Sequence, residues 1–454
     1  MITKYSITNK INAAIKLFQE YMMYKAVSAK TPCTSQNIMH SPQTSGSPAA
    51  EDIHENSHCH FLLLASFPNF AIKSNFMKIL YAIQGTGNGH LSRARDIVPI
   101  LSKLGELDIL VSGVQADVEF PFPVKYRFQG LSFIFGKKGG VDLLATYRNS
   151  NLKQLLAEIN SLPVEEYDLV LNDFEPVSAW ACFNKDLPCI SLSHQAAVLD
   201  KKAPRPKRFD PVGKITLKNY APVTDRYGFH FQRYNEGIFT PVIRQEVRKL
   251  KASDQGYYLV YLPAYSDKRI LKTLSQFPDV QWIVFSKHGK EVRTEGNVSF
   301  QPVNNEAFLK SFAGATGVLC GAGFETPAET LYLGKKLMVV PMKGQYEQQC
   351  NAAALKKMGV AVLKNLKEKR WHLIEKWLSA SAVALADYPD ETEAIVRMVV
   401  EKHGAEKPVS TDFSPKFKGV KSFKKLKLHR ILLEIAEQNI PLKGAVKRAW
   451  RKLK

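Results

Sequence analysis

The residues best suited to chemistry lie in the segment Cys320–Ala352, where a glycine-rich turn, a helix start and an apolar strand follow one another. Gly321 and Gly323 have no Cβ and would let a ligand come close to the backbone. Thr326, a proline after it, and Glu329 have the types and spacing of a capping box at a helix start. The amides of such a helix start attract an anion such as a pyrophosphate, and the carboxylate of Glu329 suits a ribose diol.

A predicted polar loop, Gly344–Asn351, follows the predicted strand Lys336–Pro341. Glu347, Gln348 and Asn351 in that loop supply the carboxylate and amide groups that bind sugar hydroxyls. An ordinary capping box, a buried strand and a polar loop would each explain one part of the pattern. Both halves in this order favour a site for a nucleotide diphosphate that carries a sugar.

A second glycine-rich turn stands near the start of the folded part of the chain. The turn is formed by Gly85, Gly87, Asn88, Gly89 and His90, after a predicted buried strand and before an amphipathic helix. This pattern is typical of the first unit of a Rossmann-like domain. It differs from the dinucleotide fingerprint, because His90 stands at the third glycine position and the next strand ends without an acidic residue.

Polar residues end two further predicted strands. Asp173 and Glu175 follow the first of them, and His194 and Gln195 follow the second. Those strand ends face the ligand crevice in an open α/β sheet. His90 is a candidate general base there, because histidine ordinarily titrates near neutrality; a helix-capping imidazole is the alternative. Asp173 or Glu175 would orient His90 or act as the base, unless both only stabilise a helix N-terminus.

The segment Cys320–Ala352, called the donor segment below, resembles the donor-binding segment of GT-B glycosyltransferases. It is similar to that of family 28 (the peptidoglycan N-acetylglucosaminyltransferase and the galactolipid synthases) and to that of the plant and animal UDP-glycosyltransferases. The residues that match the signature are Gly323, Phe324, Glu325, Thr326, Glu329, Pro341, Glu347, Gln348, Asn351 and Ala352. Gly321 departs from it, because the plant signature opens with a histidine there. By this resemblance Glu329 would hold the ribose, the amides near Thr326 the pyrophosphate, and Glu347 with Gln348 the transferred sugar. In some members the histidine of the first glycine loop is the base.

The resemblance implies an α/β protein of GT-B fold, with two Rossmann-like domains facing a central cleft. It implies an inverting hexosyltransferase that uses a UDP-sugar, with no further cofactor and no metal. The acceptor is left open, and a lipid-linked or envelope glycan is one candidate. The sequence has no Asp-x-Asp motif at a strand end that would hold one. Two alternatives stay open, namely a UDP-sugar epimerase of the same fold and a basic, non-catalytic binding protein.

The sequence pattern divides the chain into four parts. Residues 1–76 are rich in Ser, Thr, Asn and Pro and are expected to be a disordered extension or a mis-called start. Residues 77–240 are the predicted acceptor domain and residues 250–400 the predicted donor domain. Residues 401–454 are the predicted basic tail.

The net charge of +21 is concentrated in two stretches, one after Lys201 and one from Lys416 to the end. Basic residues interleaved with apolar ones suit an anionic lipid surface. A basic face of a soluble protein is the alternative, and nucleic acid is disfavoured because no recognisable nucleic-acid module is present. Scattered cysteines and the lack of a secretory signal pattern favour a cytoplasmic protein, with peripheral contact at the membrane as one reading.

Overall fold

The structure is a computed structural model and describes residues 77–113, 120–131, 135–136, 140–141, 152–207, 210–381, 383–384 and 386–404. The predictions for residues 1–76, and for the tail beyond residue 404, lie outside these residues. Within the described part, no helix is long and apolar enough to cross a membrane.

The first half of the chain forms a parallel sheet with helices between the strands. Its strands are β1 (Lys78–Gln84), β2 (Glu106–Ser112), β3 (Tyr126–Phe128), β4 (Phe135–Gly136), β5 (Gly140–Val141), β6 (Leu169–Asp173), β7 (Ile190–Leu192), β8 (Asp225–Phe229) and β9 (Ile238–Phe239). Its helices are α1 (Asn88–Leu101), α2 (Leu152–Ser161), α3 (Pro176–Asn184), α4 (His194–Val198), α5 (Pro211–Tyr220) and α6 (Gln245–Arg248), with a 3₁₀ turn at Val164–Glu166. The sheet order is β3-β2-β1-β6-β7-β8-β9, and β4 pairs with β5 alone.

The second half repeats this architecture. Its strands are β10 (Tyr257–Tyr261), β11 (Gln281–Ser286), β12 (Arg293–Glu295), β13 (Val298–Pro302), β14 (Gly317–Gly321), β15 (Lys336–Val340) and β16 (Ala361–Val362). Its helices are α7 (Asp267–Leu274), α8 (Asn305–Gly314), α9 (Glu325–Tyr332), α10 (Tyr346–Lys357), α11 (Trp371–Ser379) and α12 (Thr392–Gly404), with a 3₁₀ turn at Glu368–Arg370. The sheet order is β12-β13-β11-β10-β14-β15-β16, and every pair except β12–β13 is parallel.

The apolar patterns explain these elements. Ile79–Ile83 is a continuous apolar run that is buried on both faces, as parallel strands covered by helices require. The predicted apolar face of α1 is confirmed, and its buried members are Leu91, Ala94, Ile97, Val98 and Leu101. The predicted α/β architecture is therefore confirmed.

Each sheet has one point at which the direction of strand addition reverses. In the first sheet this point lies between β1 and β6, which are neighbours. In the second sheet it lies between β10 and β14. Ligands of open α/β sheets bind at the carboxyl ends of the strands beside such a point. The topology therefore directs attention to the loops after β1, β6 and β14.

The two halves are packed together in this structure. Phe231, which follows β8, and Phe324, which follows β14, have ring centroids 5.1 Å apart. The last described helix, α12, returns to the first half and packs against α1 and β6. The loops at the carboxyl ends of the two sheets consequently meet along one junction.

Candidate functional site

His90 and Asp173 lie together at the reversal point of the first sheet. The loop after β1 turns at Gly87, whose φ of 94° favours glycine, and α1 begins at Asn88, so that His90 stands in its first turn. Asp173 is the last residue of β6. His90 Nδ1 donates a hydrogen bond to Asp173 Oδ1 over 2.9 Å. The imidazole is 13% exposed and the carboxylate is fully buried.

Asp173 and Glu175 point in different directions because of the residue between them. Phe174 has a φ of 57°, a conformation that few residues with a Cβ adopt. Glu175 caps α3, and its carboxylate accepts hydrogen bonds from Val177 N, Ser178 N and Ser112 Oγ, each at 2.6 Å. Its observed contacts are those of the helix-cap alternative, so Asp173 alone of the two acids reaches His90.

Sequence reasoning missed Arg93, a fully buried arginine at the centre of the site. Its Nη2 donates to both oxygens of Asp173 at 2.7 Å, and its Nη1 donates to Glu325 Oε1 at 2.5 Å. Burial raises the pKa of Asp173, but Arg93 and His90 lower it by more, and the net pKa lies below its ordinary value. The sequence spacing could have indicated that Arg93 lies near His90, because residues three apart in a helix share a face.

His194 joins the two halves at the start of α4. Its Nδ1 lies 2.8 Å from the Phe229 carbonyl oxygen and its Nε2 lies 2.8 Å from Asn351 Oδ1. The ring stacks on Phe324 with a centroid distance of 3.8 Å. Asn351 in turn donates to the Ala322 carbonyl oxygen over 3.2 Å. His194 and Asn351 therefore fix the loop after β14 against the first sheet, and neither side chain is exposed.

Gln195 connects His90 with the second half. Its Nε2 lies 3.3 Å from His90 Nε2 and donates to Glu347 Oε2 over 3.1 Å. Because His90 Nδ1 carries the proton given to Asp173, His90 Nε2 is the acceptor in this contact. Gln195 Oε1 is buried and has no hydrogen-bond partner among the described residues. The lone pair of His90 therefore faces the junction between the halves.

The predicted capping box in the donor segment is wrong. The helix α9 begins at Glu325, with Phe324 as its N-cap residue and no side-chain cap, and Thr326 lies inside its first turn. Pro327 is tolerated there because the first-turn amides have no partner within the helix. The predicted polar loop is also wrong from Tyr346 onward, where α10 begins and carries Glu347, Gln348 and Asn351. Gln348 Oε1 accepts from Met342 N over 2.9 Å.

Gly321, at the end of β14, and Gly323, just after it, have no packing role in the described structure. A Cβ added at Gly321 or Gly323 would meet no described atom within 4 Å. Gly85 and Gly89 differ from them. A Cβ at Gly85 would lie 2.9 Å from Val111 Cγ1, and one at Gly89 would overlap the Glu325 carboxylate. Gly85 and Gly89 are thus closely packed within the protein, whereas Gly87 is favoured by its positive φ alone.

Glu329 is held by an arginine from the segment between the two sheets. Arg244 donates from Nε to Glu329 Oε1 over 2.6 Å and from Nη2 to Oε2 over 3.0 Å. The Glu329 side chain is 3% exposed. Arg244 is the second charged residue that sequence reasoning missed, because it is distant in the chain and carries no motif. Among the described residues, no group of three or more His, Cys, Asp or Glu side chains could hold a metal ion.

The family model of glycosyl transferase family 1 matches residues 77–381, which include both sheets and the loops that meet between them. The chain belongs to this family. It is a glycosyltransferase, and the predicted GT-B glycosyltransferase is confirmed. No curated protein sequence matches this glycosyltransferase.

Several solved structures are similar to this glycosyltransferase at low identity. The glycosyltransferase of kitacinnamycin is 13% identical and has a TM-score of 0.45, over 80% of this chain and 100% of its own. MurG of Acinetobacter baumannii is 14% identical with a TM-score of 0.42, over 72% and 100% of the two chains. UGT2 of Phytolacca americana, complexed with UDP-2-fluoro-glucose and pterostilbene, is 13% identical with a TM-score of 0.43, over 83% and 98%. Likeness of this degree does not identify a substrate.

Proposed function

We propose that this glycosyltransferase moves a hexosyl group from a UDP-sugar to the hydroxyl of an acceptor, with His90 as general base. The observation that carries the proposal is the 2.9 Å hydrogen bond from His90 Nδ1 to Asp173 Oδ1. A buried carboxylate fixes the tautomer of the imidazole and stabilises the imidazolium that forms when the base takes up a proton. The other ring nitrogen keeps its lone pair, on the side of Gln195 and Glu347.

In the proposed reaction, the hydroxyl oxygen of the acceptor forms a bond to the anomeric carbon while the bond from that carbon to the diphosphate breaks. His90 Nε2 takes the hydroxyl proton, and the departing electron pair stays on the diphosphate. Attack from the side opposite the leaving group inverts the configuration of the sugar. Gln195 Oε1 would accept a hydrogen bond from a substrate hydroxyl, which its lack of a described partner supports.

The donor would bind on the second half. The room beside Gly321 and Gly323 supports a close approach of the diphosphate, because the protein itself does not require glycine at either position. The first-turn amides of α9 would stabilise the leaving diphosphate, and we propose that the reaction needs no metal. Glu329 would bind the ribose, and Glu347 with Gln348 the hexose.

The acceptor would be a lipid-linked or envelope glycan, met at the cytoplasmic surface of a membrane. The basic, partly apolar sequences after Lys201 and Lys416 support contact with anionic lipid. This part of the proposal rests on charge pattern and on the resemblance of the donor segment.

The test is turnover of labelled nucleotide sugars by the full chain. UDP-, GDP- and dTDP-sugars are supplied with and without a membrane extract, and products are separated after incubation with and without EDTA. Label in an acceptor or in free sugar, with UDP released, supports the proposal. An isomerised UDP-sugar would show an epimerase instead, and no turnover of any donor would show a binding protein. Nuclear magnetic resonance of the product gives its anomeric configuration.

A further inference from the structure

Four charged or chargeable side chains form a line that crosses from the first half to the second. His90 donates to Asp173 over 2.9 Å, and Arg93 donates to both oxygens of Asp173 at 2.7 Å. Arg93 also binds Glu325 Oε1 at 2.5 Å. The first three residues belong to α1 and β6, whereas Glu325 begins α9 on the other sheet. The line therefore forms only when the two halves are together.

The charges along this line determine what it does for His90. Arg93 alone would neutralise Asp173, and a neutral pair gives little stabilisation to a positive imidazolium beside it. Glu325 adds a second negative charge to the buried arginine, so that the set carries −1 before proton uptake and becomes neutral after it. Burial lowers the pKa of Arg93, but Asp173 and Glu325 outweigh burial and hold the guanidinium charged.

The position of Glu325 makes a direct contact with the donor diphosphate unfavourable. Its carboxylate stands at the first residue of α9, the end at which a diphosphate would meet the amides, and like charges repel there. The carboxylate instead lies against the backbone of α1, where a Cβ at residue 89, directly before His90, would overlap it. Both features favour a role of Glu325 beside the proposed base His90 over a contact with the donor diphosphate.

We propose that Glu325 is a positioning residue of the base: through Arg93 it completes the electrostatic setting of the Asp173–His90 pair when the donor half closes on the acceptor half. The proposal rests on the proposed function, because it takes His90 as the base. It reassigns Glu325, which the resemblance would make a donor-binding residue. In this account the chain activates its base only in the closed arrangement.

The first experiment compares Glu325→Gln with the wild type, using the full chain and whichever of UDP-glucose, UDP-galactose and UDP-N-acetylglucosamine is hydrolysed fastest. Removal of the charge is expected to lower kcat about ten- to hundredfold, a part of the contribution of a general base. Calorimetric UDP affinity should be unchanged or tighter, because a negative charge near the diphosphate is lost. Glu391→Gln is the matched control, since it removes a half-buried carboxylate paired with Arg233, outside the proposed site, and should leave kcat unchanged.

The outcomes separate the alternatives. Unchanged kcat in Glu325→Gln overturns the proposal, and weaker UDP binding with unchanged kcat shows a donor contact instead. In an Asp173→Asn background, Glu325→Gln should cause a smaller loss than in the wild type, because the Asp173–His90 pair that it supports is already broken; fully additive losses overturn the proposal. If Glu325→Gln does not fold, Glu325→Asp, which keeps the charge, must retain most of kcat, and a hundredfold loss in a folded Glu325→Asp overturns it. Turnover that survives in His90→Ala would refute the proposed base itself, whatever Glu325 does.

Discussion

Asp173 and Glu175 show how one residue between two carboxylates decides their roles. The left-handed turn at Phe174 sends Asp173 to His90 and Arg93 and leaves Glu175 as the cap of α3. Their electrostatic settings differ accordingly. Arg93 and His90 outweigh burial and lower the pKa of Asp173, whereas burial dominates and raises the pKa of Glu175.

The two acids should therefore respond differently to the same substitution. Asp173→Asn removes the charge that supports an imidazolium, and we expect turnover to fall about 10²–10⁴-fold, as for loss of a general base. Glu175→Gln disturbs a buried cap and should cost about 1–3 kcal/mol of unfolding free energy, with turnover per folded molecule retained. Denaturant melts and donor hydrolysis measure both quantities. A large loss of turnover in folded Glu175→Gln, with Asp173→Asn active, would reverse the assignment.

Substitutions of Glu329 and of its ion-pair partner Arg244 separate a role in ribose binding from a role in stability. Loss of a ribose contact in Glu329→Gln should weaken calorimetric UDP affinity about ten- to hundredfold, the size of a hydrogen bond to a charged group. Arg244→Gln breaks the same ion pair but keeps the carboxylate, so it should lower the melting temperature while UDP affinity changes much less. Equal UDP affinity in both variants would leave Glu329 with the ion pair as its only function.

At the scale of the elements, sequence reasoning succeeded where the apolar pattern is strong. The strand predicted at Lys336–Pro341 is observed at Lys336–Val340, because buried parallel strands are continuous apolar runs. Sequence reasoning failed at the starts of α9 and α10. There the local signals, a Thr-x-x-Glu spacing and a polar run, were overridden by contacts between the halves. Glu325 binds Arg93, and Asn351 contacts His194, across 232 and 157 positions of the chain.

Helix α12 stabilises the first half, although it is distant from that half in the chain. Its buried residues Ile395, Val396, Val399 and Val400 join the cluster that contains β1 and α1. Full burial of each side chain contributes on the order of 1.5–3 kcal/mol. A chain that ends at residue 391 should therefore lose much of a typical domain stability of about 5–15 kcal/mol.

A chain that ends at residue 404 keeps α12 and is the control for that truncation. It should melt close to the full-length protein in a thermal scan. Equal melting temperatures for the two truncated chains would contradict the stabilising role of α12.

For the molecule as a whole, the net charge of +21 favours binding of the basic segment beyond α12 to an anionic membrane surface. We expect the full chain to co-sediment with phosphatidylserine vesicles at low salt and to be released at high salt, because each basic residue near such a surface contributes on the order of 1 kcal/mol that salt screens. The chain that ends at residue 404 should bind less. Binding that is absent in the full chain at low salt would remove the membrane proposal.

His90, oriented by Asp173 and facing the second half, is the proposed base of the glycosyl transfer. The most direct measurement is the turnover of His90→Ala beside its calorimetric affinity for UDP. We expect a loss of about 10²–10⁴-fold in turnover with nearly unchanged UDP affinity, because His90 lies on the half proposed to bind the acceptor. Turnover within a few-fold of the wild type in a folded His90→Ala protein would contradict this role.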